Sequence, residues 1–254
     1  MIQYKNIPLI PLQMNRGGEA VIEVHSMKQR GLSQEGLKII ACVTMLIDHV
    51  GAVLLPKYFF LRGIGRIAFP IYCFLLAEGA HYTKNPKKYA LRLGIGVLLS
   101  ELPFDLAFSG GLYWGYQSVM VTLLLGFIAL KCMERTENLL LKVLIVVPFA
   151  ALAEVCQTDY GASGVALVAM FGLTRTAPKW LQFLGVLLVL GFVPSAMIRI
   201  GGIRFSVELL GILAMVPIFC YSGRKFTSSR ALQWAFYLFY PVHLTVIWLI
   251  SILR

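Results

Sequence analysis

The stretch LKIIACVTMLIDHVGAVL, residues 37–54, is long and apolar enough to form a membrane-spanning helix, yet it carries Asp48 and His49 side by side. A helix needs about 20 predominantly apolar residues to cross the roughly 30 Å hydrocarbon core of a bilayer. Ionisable side chains are costly at that depth, and they usually face the interior of a helix bundle and mark a functional site. The stretch therefore predicts a membrane protein and shows where its site begins.

The rest of the chain is equally apolar. Hydrophobic residues make up 58% of the 254 residues and charged residues 14%, whereas an ordinary soluble domain carries about 25% charged residues. Apolar runs recur between short polar breaks, and they predict an all-α fold, a polytopic integral membrane helix bundle of about nine transmembrane helices, within a range of about eight to ten. The expected spans are 37–56, 64–82, 89–108, 117–133, 139–153, 160–173, 180–197, 205–221 and 233–252.

Basic residues set the expected orientation. With the N-terminus in the cytoplasm, fifteen Lys and Arg residues of the spans and loops fall on the cytoplasmic side and six on the outer side. Cytoplasmic loops carry an excess of Lys and Arg, so the N-terminus is predicted to be cytoplasmic. The net charge of +11 then reflects topology and attraction to anionic membrane lipids, and we expect no nucleic-acid partner.

The first residues differ in composition from the rest. Residues 1–33 are polar and contain glycine, which predicts a flexible cytoplasmic tail before a single transmembrane domain over 34–254, and Met27 is an alternative start. The five cysteines lack the spacing of metal ligands or of a disulfide framework. We therefore expect no metal.

Depth along the predicted helices sorts the ionisable residues into two layers. His49 follows Lys38 by eleven residues, about 16 Å deeper and within roughly 20° of the same face, whereas Asp48 diverges from His49 by about 100°. The inner layer, toward the cytoplasm, comprises Lys38, Glu78, His81, Lys88 and Arg92. The layer at mid-membrane or beyond comprises Asp48, His49, Arg66, Glu101 and Asp105, and the last span adds His243 with Tyr240 three residues before it.

Such layers suit the transfer of an acyl group from a phosphate-bearing carrier. Ammonium and guanidinium groups bind phosphate by charge-assisted hydrogen bonds. A neutral histidine deeper in the membrane can act as general base on a hydroxyl or an amine. Acetyl-CoA fits both layers, with its nucleotide at the inner face and its thioester near His49, while the acceptor approaches from the other side.

The chain resembles the TraX family of membrane proteins over roughly residues 34–252. The resemblance lies in LKIIACVTMLIDHVGAVL, in GRIAFPIYCFLLAEGAHYTKNPKKYALRLGIGVLLSELPFDLAF (65–108) and in FYLFYPVHL (236–244). TraX proteins are associated with N-terminal acetylation of pilin in conjugation systems. The resemblance implies an acetyl-CoA-dependent acetyltransferase in a bacterial inner or cytoplasmic membrane.

A weaker similarity concerns the acyltransferase-three superfamily of membrane enzymes. Its members carry in the first span an Arg, ten residues and then a His associated with acyl transfer. This chain has Lys38, ten residues and His49. Lysine keeps the charge of the family's arginine but loses its bidentate fork.

Together these arguments assign expected roles. His49 is the predicted general base, or alternatively a transient acetyl carrier, and Glu101 or Asp105 is the acid that orients it. His243 is an alternative base, and Asp48 is a further catalytic candidate. Lys38, Arg92 and Lys88 are expected to contact CoA, with His81 and Glu78 as further cofactor-pocket residues, and Arg66 and Tyr240 are substrate-binding candidates.

Two other classes of function remain open from the sequence. Buried Asp, His and Glu also form proton relays in transporters, although the chain shows no matched halves with broken helices. A non-catalytic partner that holds pilin-like peptides is the third class. The acceptor is open as well, whether a peptide amine, a glycan hydroxyl or an amino sugar, and a homo-oligomer is compatible with all three classes.

Overall fold

The computed structural model describes residues 13–14, 20–21, 31–193, 195–200, 203–224 and 229–254. The chain divides into two units, Met1–Gly31 and Leu32–Arg254. In the first, strands β1 (Gln13–Met14) and β2 (Ala20–Val21) pair antiparallel. The predicted flexible tail and the alternative start at Met27 lie mostly outside the described residues.

Helices make up most of the second unit. In chain order they are α1 (Gln34–His49), a π-helical turn (Val50–Leu54), α2 (Phe60–Gly65), α3 (Ala68–Tyr82), α4 (Pro86–Ser109), α5 (Val119–Met133), α6 (Leu139–Val155), α7 (Gly161–Leu173), α8 (Lys179–Gly191), a 3-10 helix (Val207–Ala214), α9 (Met215–Phe219) and α10 (Arg230–Ile252). Strands β3 (Met197–Ile200) and β4 (Ile203–Ser206) form an antiparallel hairpin.

The all-α prediction is confirmed, and every predicted span contains a helical segment. Within the described residues, three segments are long and apolar enough to cross a membrane, namely Gln34–Leu54, Phe60–Tyr82 and Ala231–Ile252. Four further apolar helices, α5, α7, α8 and the segment Val207–Phe219, are shorter. The count of nine membrane crossings therefore stays a prediction.

The seventh and eighth predicted spans differ from the structure. The apolar run 180–197 is helical only to Gly191, and its end joins the β3–β4 hairpin instead. Composition alone does not reveal this, because Met, Ile and Phe suit a strand as well as a helix. The predicted eighth span, 205–221, begins within β4 and continues as the 3-10 helix and α9.

Local caps explain where the two helices that frame the site begin. Ser33 accepts a hydrogen bond from the backbone N–H of Gly36 at 3.1 Å and caps α1. Asn85 accepts one from the backbone N–H of Lys88 at 2.9 Å, and Pro86 occupies the first turn of α4. Asn and Ser are favoured caps and proline a favoured first residue.

The apolar core surrounds α3. This helix packs against α1, α5 and α7, while α10 packs along α4. Ile71 of α3, Phe127 of α5 and Leu167 of α7 are fully or almost fully buried. By contrast, the outer faces of other helices expose large apolar side chains such as Leu98 and Leu140. A large exposed apolar surface indicates contact with a membrane, as the sequence predicts.

Candidate functional site

Asp48 lies in a buried cluster of four charged side chains. Arg66 Nη2 donates to both carboxylate oxygens of Asp48 at 2.6 Å, and Arg62 Nη1 donates to Asp48 Oδ2 at 2.7 Å. Arg66 Nη1 donates to Glu208 Oε1 at 2.7 Å. We call Asp48, Arg62, Arg66 and Glu208 the charge cluster. Its two carboxylates balance its two guanidinium groups, which is how buried charge is tolerated.

Glycine makes this cluster possible. Gly65 ends α2 directly before Arg66, and a Cβ atom at Gly65 would collide with the Asp48 side chain. The missing side chain lets α2 approach α1 closely enough for both arginines to reach one carboxylate.

His49 pairs with His243 of α10. His49 Nδ1 lies 2.7 Å from His243 Nε2, and His243 Nδ1 lies 2.6 Å from the backbone carbonyl oxygen of Phe239. A carbonyl oxygen only accepts hydrogen bonds, so His243 Nδ1 carries the proton and donates it. When both rings are neutral, His243 Nε2 accepts from His49 Nδ1–H. The lone pair of His49 is then on Nε2, the nitrogen that a general base uses.

Two adjoining cavities connect the predicted layers. The larger, of about 610 Å³, is lined by Lys38, Glu78 and Arg92 of the inner layer. The smaller, of about 40 Å³, is lined by Asp48, His49 and Arg66. The residues that line both cavities are Met45, Tyr72, Val119, Leu123 and Tyr240. The large cavity and the small cavity at His49 are therefore neighbours, separated by these shared residues.

Cationic side chains of the large cavity lie against aromatic rings. The Arg92 guanidinium lies 5.2 Å from the ring centre of Tyr89 and 6.0 Å from that of Tyr237. Lys38 Nζ lies 5.1 Å from the ring centre of Phe236. Within the described residues, the buried Arg92 Nε has no hydrogen-bond partner. The cavity thus offers positive charge with an unused donor.

Two residues of the predicted inner layer lie elsewhere. His81 and Lys88 are exposed and are not among the residues that line the two cavities. The His81 ring is in edge contact with the Tyr82 ring, whereas Glu78 lines the large cavity and accepts a hydrogen bond from Arg175 Nε at 2.9 Å. His81 and Lys88 were assigned to the inner layer because of their depth along the helices. They lie on helix faces that do not line either cavity.

The two acids expected beside His49 bind a loop instead. Glu101 accepts from the Ser118 hydroxyl at 2.7 Å, and Asp105 accepts from the backbone N–H of Tyr113 at 3.0 Å. Both contacts hold the loop 110–118 between α4 and α5. The partner of His49 Nδ1 is therefore His243, in place of the acid that the sequence suggested.

Three polar residues near the site escaped the sequence argument. Arg62 precedes Arg66 by one helical turn, so the spacing in the sequence already indicates that the two arginines share a helix face. Glu208 lies 142 residues from Arg66 along the chain, so no local sequence pattern indicates this contact. Asp159, in the loop before α7, lines the small cavity and accepts from the Tyr116 hydroxyl at 2.9 Å. Burial raises the pKa of Asp159, and the nearby Arg66 guanidinium partly opposes that rise.

Within the described part of the chain, no group of three or more His, Cys, Asp or Glu residues is placed to hold a metal ion. Two groups can contact an organic ligand: Arg92 Nε, which has no partner within the described residues and can donate a hydrogen bond, and His49 Nε2, which can accept one.

Fold and site together define a helical membrane protein with a charge-balanced site beside a larger cavity, whose charged lining residues are Glu35, Lys38, Glu78 and Arg92. The chain matches the family model described as TraX protein over residues 33–251 and belongs to the TraX family. It is 30% identical over 227 residues to the probable fimbrial assembly protein FimC, serogroup H1, of Dichelobacter nodosus. The aligned region covers 83% of this chain and 92% of that relative. It is also 39% identical over 62 residues, 24% of each chain, to the uncharacterized protein RP591 of Rickettsia prowazekii (strain Madrid E). No solved structure matches the chain.

Proposed function

We propose that this protein is a multi-pass acetyltransferase of the bacterial cytoplasmic membrane that moves acetyl from cytoplasmic acetyl-CoA to an amine or hydroxyl acceptor. The observation that carries the proposal is the shared wall between the large cavity, which contains Lys38 and Arg92, and the small cavity at His49. It allows a donor to bind at the inner layer while its thioester reaches the base.

The large cavity suits the nucleotide end of CoA. Its volume of about 610 Å³ lies within the roughly 300–1,000 Å³ usual for cofactor sites. Lys38 and Arg92 supply charge for the phosphates, and Arg92 Nε supplies a donor without a partner within the described residues. Tyr82, Tyr89 and Tyr221 line the same cavity and offer flat faces for an adenine ring.

His49 suits the chemical step. Its Nε2 lone pair accepts the proton of the acceptor as the acceptor attacks the thioester carbonyl carbon, and the proton then passes to the departing CoA sulfur. His243 keeps the proton of His49 on Nδ1 and fixes the orientation of the ring. This is the role that a second hydrogen-bonded group plays for a catalytic histidine elsewhere.

The charge cluster suits a supporting role. Its carboxylates and guanidinium groups are bonded to one another, and Asp48 precedes His49 in α1. The cluster therefore fixes α1 against α2 and holds His49 at the small cavity.

The acceptor is proposed by class. The fimbrial name of the Dichelobacter relative and the association of TraX proteins with pilin acetylation favour a peptide amine on a pilin-like subunit. A glycan hydroxyl or an amino sugar would use the same base.

The test uses detergent-solubilised full-length protein, labelled acetyl-CoA and a membrane extract as acceptor source. We expect His49→Ala to lower CoA release by about 100-fold or more while acetyl-CoA binding is retained. Val43→Ala is the matched control, because Val43 is on the same helix but is half exposed on its outer side. A folded wild type that does not bind acetyl-CoA would remove the proposal and favour a transporter.

A further inference from the structure

Tyr240 occupies the wall that the two cavities share. It is one of two tyrosines among the five shared residues, and it is only 6% exposed. Its ring centre lies 6.0 Å from that of His49 and 5.7 Å from that of His243, in edge contacts. Tyr240 precedes His243 by three residues on α10, so both side chains face the same side of that helix.

The two shared tyrosines differ in their hydroxyl groups. The Tyr72 hydroxyl lies 3.2 Å from Cys42 Sγ and forms a hydrogen bond with it. The Tyr240 hydroxyl makes no hydrogen bond to any residue in the described part of the chain. Because Tyr240 lines both cavities and its hydroxyl is not bonded to a described residue, that hydroxyl can donate a hydrogen bond to a ligand atom.

The two guanidinium groups of the charge cluster are held by carboxylates. Arg66 commits Nη2 to Asp48, Nη1 to Glu208 and Nε to the backbone carbonyl of Arg62. Arg62 bonds Asp48 as well. Among the described residues that line both cavities, Tyr240 is the one whose polar side-chain group makes no hydrogen bond.

We propose that Tyr240 is a further catalytic residue, which donates a hydrogen bond to the acetyl carbonyl oxygen of the donor thioester. This inference rests on the proposed acetyl transfer. It extends the expected substrate-binding role of Tyr240 to the stabilisation of negative charge during the reaction.

The reaction step assigns each proton and electron pair. The acceptor nitrogen or oxygen bonds to the carbonyl carbon and loses its proton to His49 Nε2. The carbonyl π pair moves onto oxygen, and the resulting oxyanion accepts the hydrogen bond of Tyr240. When the pair returns, the carbon–sulfur bond breaks, and the CoA thiolate takes the proton from His49. A donor placed at the oxyanion stabilises the transition state more than the ground state.

The test removes the hydroxyl alone. We expect Tyr240→Phe to lower the rate constant for CoA release by roughly 100-fold, the typical effect of losing one oxyanion donor, while acetyl-CoA affinity falls by no more than about tenfold, the worth of one ground-state hydrogen bond. The melting temperature should not fall, because the hydroxyl has no partner within the described residues. Tyr58→Phe is the matched control, since Tyr58 is exposed and contacts Phe60, and it should keep full activity.

A spectroscopic readout separates catalysis from packing. Acetyl-CoA labelled with ¹³C at the carbonyl should show a lowered carbonyl stretching frequency when bound to wild type, because the carbonyl accepts a hydrogen bond. Tyr240→Phe should lose that shift, and Tyr58→Phe should retain it.

The outcomes distinguish the two proposals. If wild type releases CoA and Tyr240→Phe stays within about threefold of it, this inference is overturned while the acetyltransferase stands. If Tyr72→Phe loses activity while Tyr240→Phe keeps it, this inference is overturned as well. A folded wild type that neither binds nor turns over acetyl-CoA would overturn the proposed function and this inference together.

Discussion

At the scale of single residues, Asp48 explains why an acid is tolerated in a membrane-spanning stretch. Its carboxylate accepts hydrogen bonds from two arginines, and one of these also binds Glu208. Removing one member of such a cluster leaves uncompensated buried charge, which costs far more than the cluster contributes as a whole. The cluster therefore makes α1 sensitive to single substitutions.

Asp48→Asn should destabilise the protein by about 3–5 kcal/mol, because Arg62 and Arg66 lose a shared anionic partner. Thermal or denaturant unfolding of the detergent-solubilised protein measures the change. Glu134→Gln provides the matched control, since Glu134 is half exposed and pairs with Lys131 at 2.7 Å. An exposed pair contributes at most about 1 kcal/mol. Equal destabilisation by both substitutions would contradict the assignment of the charge cluster as a buried structural unit.

His243→Ala should lower the rate of acetyl transfer by roughly 10-fold or more, but less than His49→Ala does. Without His243, the His49 Nδ1–H loses its acceptor and the imidazole loses a fixed orientation, while the large cavity is unchanged. Single-turnover rates with labelled acetyl-CoA measure the difference. An active His49→Ala beside an inactive His243→Ala would reverse the roles of the two histidines.

At the scale of elements, close helix approach depends on particular glycines. Gly65 faces the Asp48 side chain, and a Cβ there has no room, whereas Gly94 on α4 has no atom within 4 Å of the position of a Cβ. Replacing either glycine with alanine adds the same single methyl group. Only the first change acts on the contact between α1 and α2.

Gly65→Ala should destabilise the protein and lower its activity, because α2 must move away from Asp48 and lengthen the hydrogen bonds of Arg62 and Arg66. Gly94→Ala should be neutral or stabilising by up to about 1 kcal/mol, since alanine favours a helix over glycine. Melting temperatures of the two variants give the comparison. The same loss in both would show that α2 tolerates the displacement.

At the scale of the whole molecule, successive helices run in opposite directions, and this brings the starts of some helices beside the ends of others around the two cavities. The starts of α1, α4 and α10 and the end of α3 line the large cavity, while the end of α1 and the loop before α7 line the small one. The proposed topology places the large cavity at the cytoplasmic side, where acetyl-CoA is available, and the small cavity toward the outer side.

Cysteine labelling tests that topology. In a background with the exposed Cys156 and Cys220 replaced by serine, a membrane-impermeant maleimide should label Trp114→Cys in right-side-out spheroplasts and Lys87→Cys only after lysis. Both positions are exposed, so access alone decides the result. Labelling in the opposite order would place the large cavity outside and exclude a cytoplasmic donor.

The sequence alone determined most helical segments and the position of each ionisable group along its helix, because rise per residue and rotation per residue are local properties of a helix. From these, Lys38, Glu78 and Arg92 were placed in one layer, with His49 and Arg66 in the other, and the structure brings each set to a common cavity. The tertiary structure alone decided which groups of equal depth touch. His243 meets His49 across 194 residues of chain and Glu208 meets Arg66, whereas His81 and Lys88 turn away and Glu101 and Asp105 bind a loop. Such contacts depend on which helices are neighbours and on how their faces are rotated, and neither is encoded in the period or depth of any single helix.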